Sequence, residues 1–372
     1  MHISLAVPIL LGVSVSAQSI IDAVGGQAQL SMLALLLNAQ PGLVSTLSSA
    51  QNITLLAPHN DAFNQFLSTP GGMQASAQLD VVAALLEYHV INGAFHSSSF
   101  TSTPVFPNTF LTNTTYTGVT GGQVVEVVAQ NGAVNVFSGL KSKSTVTTPD
   151  LQFNGGFIHV IDTVLTIPPN ISTTAMASNL SQLASAVTSA GLLSAVDSTP
   201  NITVFAPTDA AFAAIADTVK GLTTNQLASI LEYHVVPALG YSSALKTGNL
   251  PTLEGQQVNV VVDGGSVKVN NANVVMADVI VGNGVVHVID TVLSLPGGNN
   301  TGSSTGPTIG SNGSSPSMAG PSSGTNSSPN SSANATMGSA GFVDFKFTVV
   351  QNPPSNKDKL LKLSYAAATQ FS

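Results

Sequence analysis

The sequence predicts an α+β protein built from two tandem copies of one unit, followed by a segment without regular structure. Three observations support this prediction. Sequence blocks recur in the same order, helical patterns precede strand patterns in each copy, and the stretch after residue 296 contains mostly Gly, Ser, Asn, Thr and Pro. Early helices and a strand-rich later half favour an α+β arrangement within each unit.

Residues 1–17 have the pattern of a secretory signal peptide. An apolar run extends from Ile3 to Val15, and small residues stand at Val15 and Ala17, just before an expected cleavage at Gln18. No later segment is a long uninterrupted apolar run, so no transmembrane helix is expected. We therefore expect a secreted chain.

Three sequence blocks define the repeat. They are NITLLAPHNDAF (52–63) with NITVFAPTDAAF (201–212), LEYHV (86–90) with the identical LEYHV (231–235), and GFIHVIDTVL (156–165) with GVVHVIDTVL (284–293). The first pair is identical at seven of twelve positions and the last at eight of ten. Agreement of three blocks in the same order indicates a duplicated unit.

The first copy is longer than the second. From Tyr88 to His159 is 71 residues, whereas from Tyr233 to His287 is 54, a difference of 17. Segments rich in Ser, Thr and Pro predict that the extra residues lie in loops, around 101–117 and 138–154.

Each copy begins with helical patterns. Leucine and alanine spacing predicts helices over Leu30–Asn38 and Asn179–Ala190. A short strand ending at proline follows, and then Asn60 in copy one or Asp209 in copy two is expected to cap the next helix.

A further helix in each copy, over 79–89 and 224–234, carries the Glu-Tyr-His sequence. The later half of each copy predicts strands. Segments 123–137 and 256–270 alternate apolar and polar residues around Asn-Gly or Asp-Gly-Gly, which is a β-hairpin signal. The HVIDTVL sequence is expected to form the closing strand of each unit.

Segment 297–340 predicts a flexible stalk, because its composition cannot bury enough apolar surface to offset ordering entropy. The tail at 341–372 has four Lys and two Asp, and it lacks the hydrophobic end that a glycolipid-anchor signal requires. Either the protein is secreted without an anchor, or this tail replaces a lost anchor signal.

Charge is scarce throughout the chain. Only 9 Lys+Arg and 17 Asp+Glu occur in 372 residues, the net charge is −8, and every one of the nine cations is Lys. A nucleic-acid-binding protein is excluded, because phosphate neutralisation needs clustered cations. Since Cys is absent, each unit must be stable by packing alone.

The repeated blocks resemble those of the fasciclin (FAS1) family in the Asn-Ile-Thr box, the Tyr-His motif and the closing box. The resemblance implies two domains, at 18–167 and 170–296, each a β-sandwich or wedge flanked by helices. The sequence departs from the family pattern at His59, Asp209 and Ala210.

The resemblance also implies a function. Family members are non-catalytic extracellular adhesion modules, and the expected partners are matrix or cell-wall polymers or other cell-surface proteins. The expected location is the cell surface or cell wall of a fungus or similar organism, and no cofactor is expected.

Ionisable groups recur at two places in each copy. We interpret them as structural, each His donating to a backbone carbonyl or a carboxylate, because buried polar groups need partners. The motif residues are Tyr88, His89, His159, Asp162, Tyr233, His234, His287 and Asp290. Two alternatives stay open: a metal-dependent hydrolase using these His and Asp residues, and a carrier of an apolar small molecule or lipid using leucines such as Leu33, Leu36 and Leu37.

Ten Asn-x-Ser/Thr sequons are candidates for N-glycosylation, which would place them at the surface of a secreted protein. They are Asn52, Asn113, Asn170, Asn179, Asn201, Asn299, Asn312, Asn326, Asn330 and Asn334.

Overall fold

The computed structural model describes residues 18–178 and 180–296. The expected signal peptide, the stalk, the tail and the sequons at Asn179, Asn299, Asn312, Asn326, Asn330 and Asn334 lie outside the described residues. In the described part of the chain, no single helix is long and apolar enough to cross a membrane, and the one helix pair that is, Ala28–Asn38 with Pro41–Ser49, is bent by 112°.

Six short helices precede or interrupt the first strands of domain 1. They are α1 (Ile20–Gly25), α2 (Ser31–Asn38), α3 (Pro41–Ser49), α4 (Asn60–Ser68), α5 (Pro70–Ser76) and α6 (Leu79–Tyr88). Two of them, α3 and α5, begin at proline, whose missing N–H costs nothing at the first helical position.

Six strands of domain 1 form one mixed sheet in the order β2-β1-β6-β5-β4-β3. They are β1 (Ile53–Pro58), β2 (Val90–Asn92), β3 (Glu126–Gln130), β4 (Ala133–Phe137), β5 (Lys143–Phe153) and β6 (Gly156–Ile161). The pair β1 and β6, second and third in this order, is parallel, and the other neighbours are antiparallel.

The β1 strand is buried along its whole length because apolar layers cover both faces of the sheet. Ile53 and Leu55 pack against the helices, whereas Leu56 packs on the other face with Tyr88 and Val125. Burial on both faces explains why this strand is apolar at every position except Thr54, whose hydroxyl donates to the carbonyl of Gly93 at 2.7 Å.

Domain 2 repeats this architecture with a seven-stranded sheet in the order β8-β7-β13-β12-β11-β10-β9. Its helices are α7 (Ile171–Ala177), α8 (Ser181–Ser189), α9 (Leu193–Ser198), α10 (Asp209–Ala214), α11 (Ala216–Lys220) and α12 (Thr224–Tyr233). Its strands are β7 (Ile202–Pro207), β8 (Val235–Val236), β9 (Gly248–Pro251), β10 (Gln257–Asp263), β11 (Ser266–Val269), β12 (Ala272–Val281) and β13 (Gly284–Ile289). The α+β prediction and the two tandem units are confirmed.

The predicted helix caps were displaced by one residue. The α4 cap is His59, whose Nδ1 accepts the N–H of Ala62 at 3.0 Å, and the α10 cap is Thr208, whose hydroxyl accepts from Ala211. Asn60 instead accepts the backbone N–H of Met32 at 3.0 Å, and so joins α4 to α2.

The second expected loop region, 138–154, is mostly strand. Strand β5 occupies Lys143–Phe153, where Thr and Val alternate before Pro149. β-Branched residues favour a pleated strand, and this preference outweighs the loop signal of the Ser, Thr and Pro content.

Candidate functional site: the buried histidine clusters and the domain contact

The Tyr-His motif lies where α6 meets the sheet. The buried Tyr88 hydroxyl donates to the carbonyl of Val124 at 2.9 Å, and Tyr233 donates in the same way to Gln257 at 3.0 Å. Each tyrosine therefore joins the end of a helix to the beginning of the later hairpin.

His89 and His234 are buried and have both ring nitrogens engaged. His89 Nδ1 donates to the carbonyl of Leu85 at 2.7 Å, and its Nε2 accepts the N–H of Leu165 at 3.0 Å. His234 does the same with Ile230 and Leu293, at 2.7 and 2.9 Å. Burial lowers the pKa of both histidines to about 4, so they are neutral near pH 7 and join the helix to the segment after the closing strand.

Buried His159 belongs to a second cluster, with the half-buried residues Asp150 and Ser97. His159 Nε2 donates to the carbonyl of Phe95 at 2.9 Å, and its Nδ1 accepts the N–H of Asp150 at 3.1 Å. The Asp150 carboxylate accepts the N–H of Ser97 at 2.7 Å and its hydroxyl at 2.5 Å.

The same cluster recurs in domain 2. Ser242 donates its N–H (2.8 Å) and its hydroxyl to Asp278, whose own N–H donates to His287 Nδ1 at 3.3 Å. His287 Nε2 donates to the carbonyl of Gly240 at 2.7 Å.

Electrostatics in domain 1 agree with a neutral histidine and an ionised aspartate. Desolvation lowers the pKa of His159. Desolvation alone would raise the pKa of Asp150, but the hydrogen bonds from Ser97 hold it below its usual value.

The cluster has the residue types of a catalytic triad but a different arrangement. Nucleophilic catalysis needs the serine hydroxyl against the histidine base. Here the hydroxyls of Ser97 and Ser242 donate to carboxylates, and both nitrogens of His159 and His287 are hydrogen-bonded to backbone groups. This geometry fixes the loop after β2 to the bulge in β5, and the corresponding loop to β12.

The aspartates singled out in the sequence lie elsewhere. Asp162 accepts the N–H of Thr145 at 2.8 Å, and Asp290 accepts the N–H and side-chain amide of Asn273 at 2.9 and 2.7 Å. Sequence reasoning missed Asp150 and Asp278, although each stands nine residues before its histidine, and that equal spacing was the available signal.

The geometry bears on the metal-site and carrier alternatives. Within residues 18–178 and 180–296, no group of three or more His, Asp or Glu side chains could hold a metal ion. Leu33, Leu36 and Leu37 pack in the helix-side core of domain 1. An apolar cavity of about 30 Å³ lies in domain 2 among α7, α8, α9 and α12. That volume corresponds to roughly one water molecule.

The two domains contact each other through hydrogen bonds and one ring pair. Gly118 N donates to Gly282 O at 2.7 Å, and Gln123 Nε2 donates to Val281 O at 3.1 Å. The rings of Phe106 and Tyr241 are stacked with centroids 4.4 Å apart.

The domain 1 side of this contact comes from the segment that carries most of the extra residues of copy one. From Ser97 to Val124 is 27 positions, whereas the equivalent interval in copy two, Ser242 to Gln257, is 15. Phe106, Gly118 and Gln123 all fall in the longer interval. The expected loop around 101–117 is therefore the larger part of a segment that contacts domain 2, residues 98–123, which we call the docking segment.

An ion pair lies beside this contact. Lys141 Nζ is 2.6 Å from Glu126 Oε2, and Lys141 follows Leu140 in a turn with positive φ at both residues. Burial is the main reason for the raised pKa of Glu126, and the charge of Asp278 in domain 2 adds to it.

An open groove of about 590 Å³ also lies at the domain boundary. Polar and apolar groups share its lining about equally, and the polar residues include Thr114, Thr115, Tyr116, Asn170, Thr173 and Asp197.

The described residues thus form two α+β units, each with a buried tyrosine, two buried histidines and an aspartate that bridges a serine and a histidine, which defines a tandem-domain protein. The fasciclin domain family matches residues 28–168 and 178–296. The chain therefore belongs to the fasciclin domain family.

Relatives with similar sequences include fungal proteins. The chain is 31% identical over 281 residues to a fasciclin-like arabinogalactan protein of Arthroderma benhamiae, covering 75% of this chain and 67% of that protein. It is 33% identical over 288 residues to the fasciclin-like arabinogalactan protein elcF of Phaeosphaeria nodorum, covering 77% and 91%.

Among solved structures, the chain is similar to a FAS1 domain pair from the insect cell adhesion molecule Fasciclin I. The identity is 19% and the TM-score 0.35, over 71% of this chain and 96% of that chain. At these values the family assignment depends on the family match and the fungal relatives.

Proposed function

We propose that this chain is a non-catalytic extracellular adhesion protein that binds cell-wall or matrix polymers through its paired fasciclin domains. The observation that carries the proposal is the Ser–Asp–His arrangement. Its serines donate to carboxylates and its histidines to the backbone, which supports a scaffold role in both copies. The expected signal peptide and the fungal relatives support an extracellular location.

The groove at the domain boundary is the contact surface we propose. Its hydroxyl and amide groups can exchange hydrogen bonds with a polyhydroxylated polymer, and Asp197 is the one charged residue among those that line it. A surface with so little charge fits a neutral polysaccharide better than a polyanion. Two domains in one chain also strengthen weak contacts through avidity.

The test is cosedimentation of purified protein with insoluble fungal cell walls and with purified neutral wall glucan. We expect the unaltered protein to sediment with both. The variant Thr114→Glu/Thr173→Glu should lose most of this binding, because it introduces two carboxylates into the groove while preserving the sequons at Asn113 and Asn170.

The matched control is Thr218→Glu/Asn225→Glu, which introduces the same charges in a separate groove of domain 2. The control should bind like the unaltered protein. If both variants lost binding equally, the groove would not be the contact surface. If the unaltered protein bound neither walls, nor glucan, nor a second copy of the chain, the adhesion proposal itself would be contradicted.

The alternatives have their own measurements. Near-stoichiometric zinc that is lost on His159 and His287 substitution would favour a metal-dependent hydrolase. A lipid recovered by solvent extraction of the native protein would favour a carrier, against the small volume of the apolar cavity.

A further inference from the structure

The sequons at Asn52 and Asn201 are chemically the same but lie in different surroundings. Both read Asn-Ile-Thr, both immediately precede the first strand of a domain, and both asparagines have positive φ, 61° and 56°. Local sequence and backbone therefore offer no reason for the two to be modified differently, and any difference must come from their neighbours.

Both polar atoms of the Asn201 side-chain amide form hydrogen bonds with domain 1. Its Oδ1 accepts the N–H of Thr120 at 2.8 Å, and its Nδ2 donates to the Thr120 hydroxyl at 2.7 Å. Thr120 belongs to the docking segment of domain 1. One residue thus contacts the oxygen and the nitrogen together, so it lies on the side of the amide that these two atoms share.

An N-linked sugar would need that same side. The sugar is attached to Nδ2, and a singly substituted amide is planar with its substituent trans to the carbon chain, hence on the side of the carbonyl oxygen. The first sugar carbon on Asn201 would therefore take the place of Thr120.

Asn52 has no such neighbour. Its Oδ1 accepts the N–H of Ala94 within its own domain at 2.9 Å, its side chain is exposed, and its Nδ2 donates to no group among the described residues. A sugar on Asn52 would extend into solvent.

We propose that Asn52 carries an N-linked glycan, that Asn201 carries none, and that a glycan on Asn201 is incompatible with the docked domain pair. The proposal requires the secretory route that the proposed function includes, but it does not depend on the identity of the adhesion partner.

Site occupancy can be measured on the full-length protein secreted from a fungal host. Enzymatic glycan removal in heavy-oxygen water followed by peptide mass spectrometry labels each asparagine that carried a glycan. We expect the peptide with Asn52 to be mostly labelled and the peptide with Asn201 to be unlabelled. Comparable labelling of both, or an unlabelled Asn52, would overturn the proposal.

The two proposals fail in different ways. Retention of the chain inside the cell without any glycan would count against the secretory route and therefore against both. A secreted, wall-binding protein with a glycan on Asn201 would overturn only the occupancy proposal.

Matched variants test the incompatibility itself. Asn52→Gln and Asn201→Gln impose the same change at equivalent positive-φ positions, so strain from the longer side chain is common to both. Asn52→Gln should migrate faster on a gel, with unchanged hydrogen exchange in residues 118–123. Asn201→Gln should leave migration unchanged but accelerate exchange there several-fold, because the Thr120 N–H loses its acceptor. The reverse pattern would contradict the proposal.

Discussion

At the residue scale, both copies use a neutral histidine to join two backbone groups by hydrogen bonds. His89 and His234 each donate one hydrogen bond and accept another, which requires the same tautomer in both copies. Protonation would place a donor against the N–H of Leu165 or Leu293, so the folded state opposes it.

Stability should therefore fall as the pH falls below the usual pKa of histidine. The folded pKa of His89 and His234 is about 4, below the unfolded value, so between about pH 6.5 and pH 4 the unfolded chain binds protons that the folded chain does not. The loss should approach about 3 kcal/mol per histidine below pH 4. Urea unfolding at several pH values measures it.

The control for this pH effect is the double variant His89→Gln/His234→Gln, whose amides can accept and donate but do not titrate. It should show a shallower decline in the free energy of unfolding. His159 and His287, whose pKa values are also lowered by burial, still contribute in that variant. A wild-type free energy independent of pH over this window would contradict the assignment.

Two tyrosines of domain 2 should respond differently to removal of the hydroxyl. The Tyr241 hydroxyl is buried and has no hydrogen-bond partner within the described residues, whereas Tyr233 donates to Gln257 and accepts from Asn270. Tyr233→Phe should lower the free energy of unfolding by about 1–2 kcal/mol, and Tyr241→Phe should leave it unchanged or raise it. Equal losses in thermal or urea unfolding would contradict this contrast.

At the scale of elements, the parallel strand pair of each sheet depends on one glycine. A Cβ on Gly156 would lie 1.8 Å from the carbonyl oxygen of Ile53, and one on Gly284 would lie 1.9 Å from that of Ile202. These glycines begin β6 and β13 and set the close approach of those strands to β1 and β7.

Gly156→Ala and Gly284→Ala should each lower the free energy of unfolding by more than about 2 kcal/mol, because the clash is with backbone that cannot move aside. Gly71→Ala in α5 is the control, since its added Cβ meets nothing within 4 Å and alanine favours a helix. Tolerance of both sheet variants would show that the strand pair is held differently.

The order of elements could be predicted from the sequence because periodicity and the repeat report directly on burial. The ends of the helices with the Tyr-His motif were predicted to within one residue, and those of the later hairpins to within three. The equal nine-residue spacing to the histidines marks the two aspartates, but the contact of Asp150 with Ser97 could not be predicted. That contact depends on a bulge in β5 and on positive φ at Asp150, neither of which the sequence pattern indicates. The role of the loop around 101–117 in the domain contact could not be predicted either, because the contact depends on the surface of the other domain.

At the scale of the whole molecule, the contact between domains should be separable from the stability of each domain. Phe106→Ala/Gln123→Ala removes the stacked ring pair and the hydrogen bond to Val281. We expect a larger radius of gyration in small-angle X-ray scattering and two resolved unfolding transitions, since an aromatic pair contributes about 0.5–1.5 kcal/mol beyond its buried area.

Phe157→Ala is the matched control for the domain contact. It removes a ring that pairs edge-on with His96 inside domain 1, so it should affect stability without changing the scattering profile. An identical profile for the Phe106 variant would mean that the remaining hydrogen bonds are sufficient to hold the pair.

The longer docking segment of copy one also limits how many units can be assembled in series. The docking segment of domain 1 contacts domain 2 around Asn201, Tyr241 and Gly282. Domain 2 has no segment of this length at the equivalent place, between Ser242 and Gln257. Domain 2 therefore lacks the surface through which a further unit, from the same chain or from another, could bind by this contact. Assembly through this contact therefore stops at two units, and the equivalent face of domain 1, around Asn52, is not used in the contact between the domains.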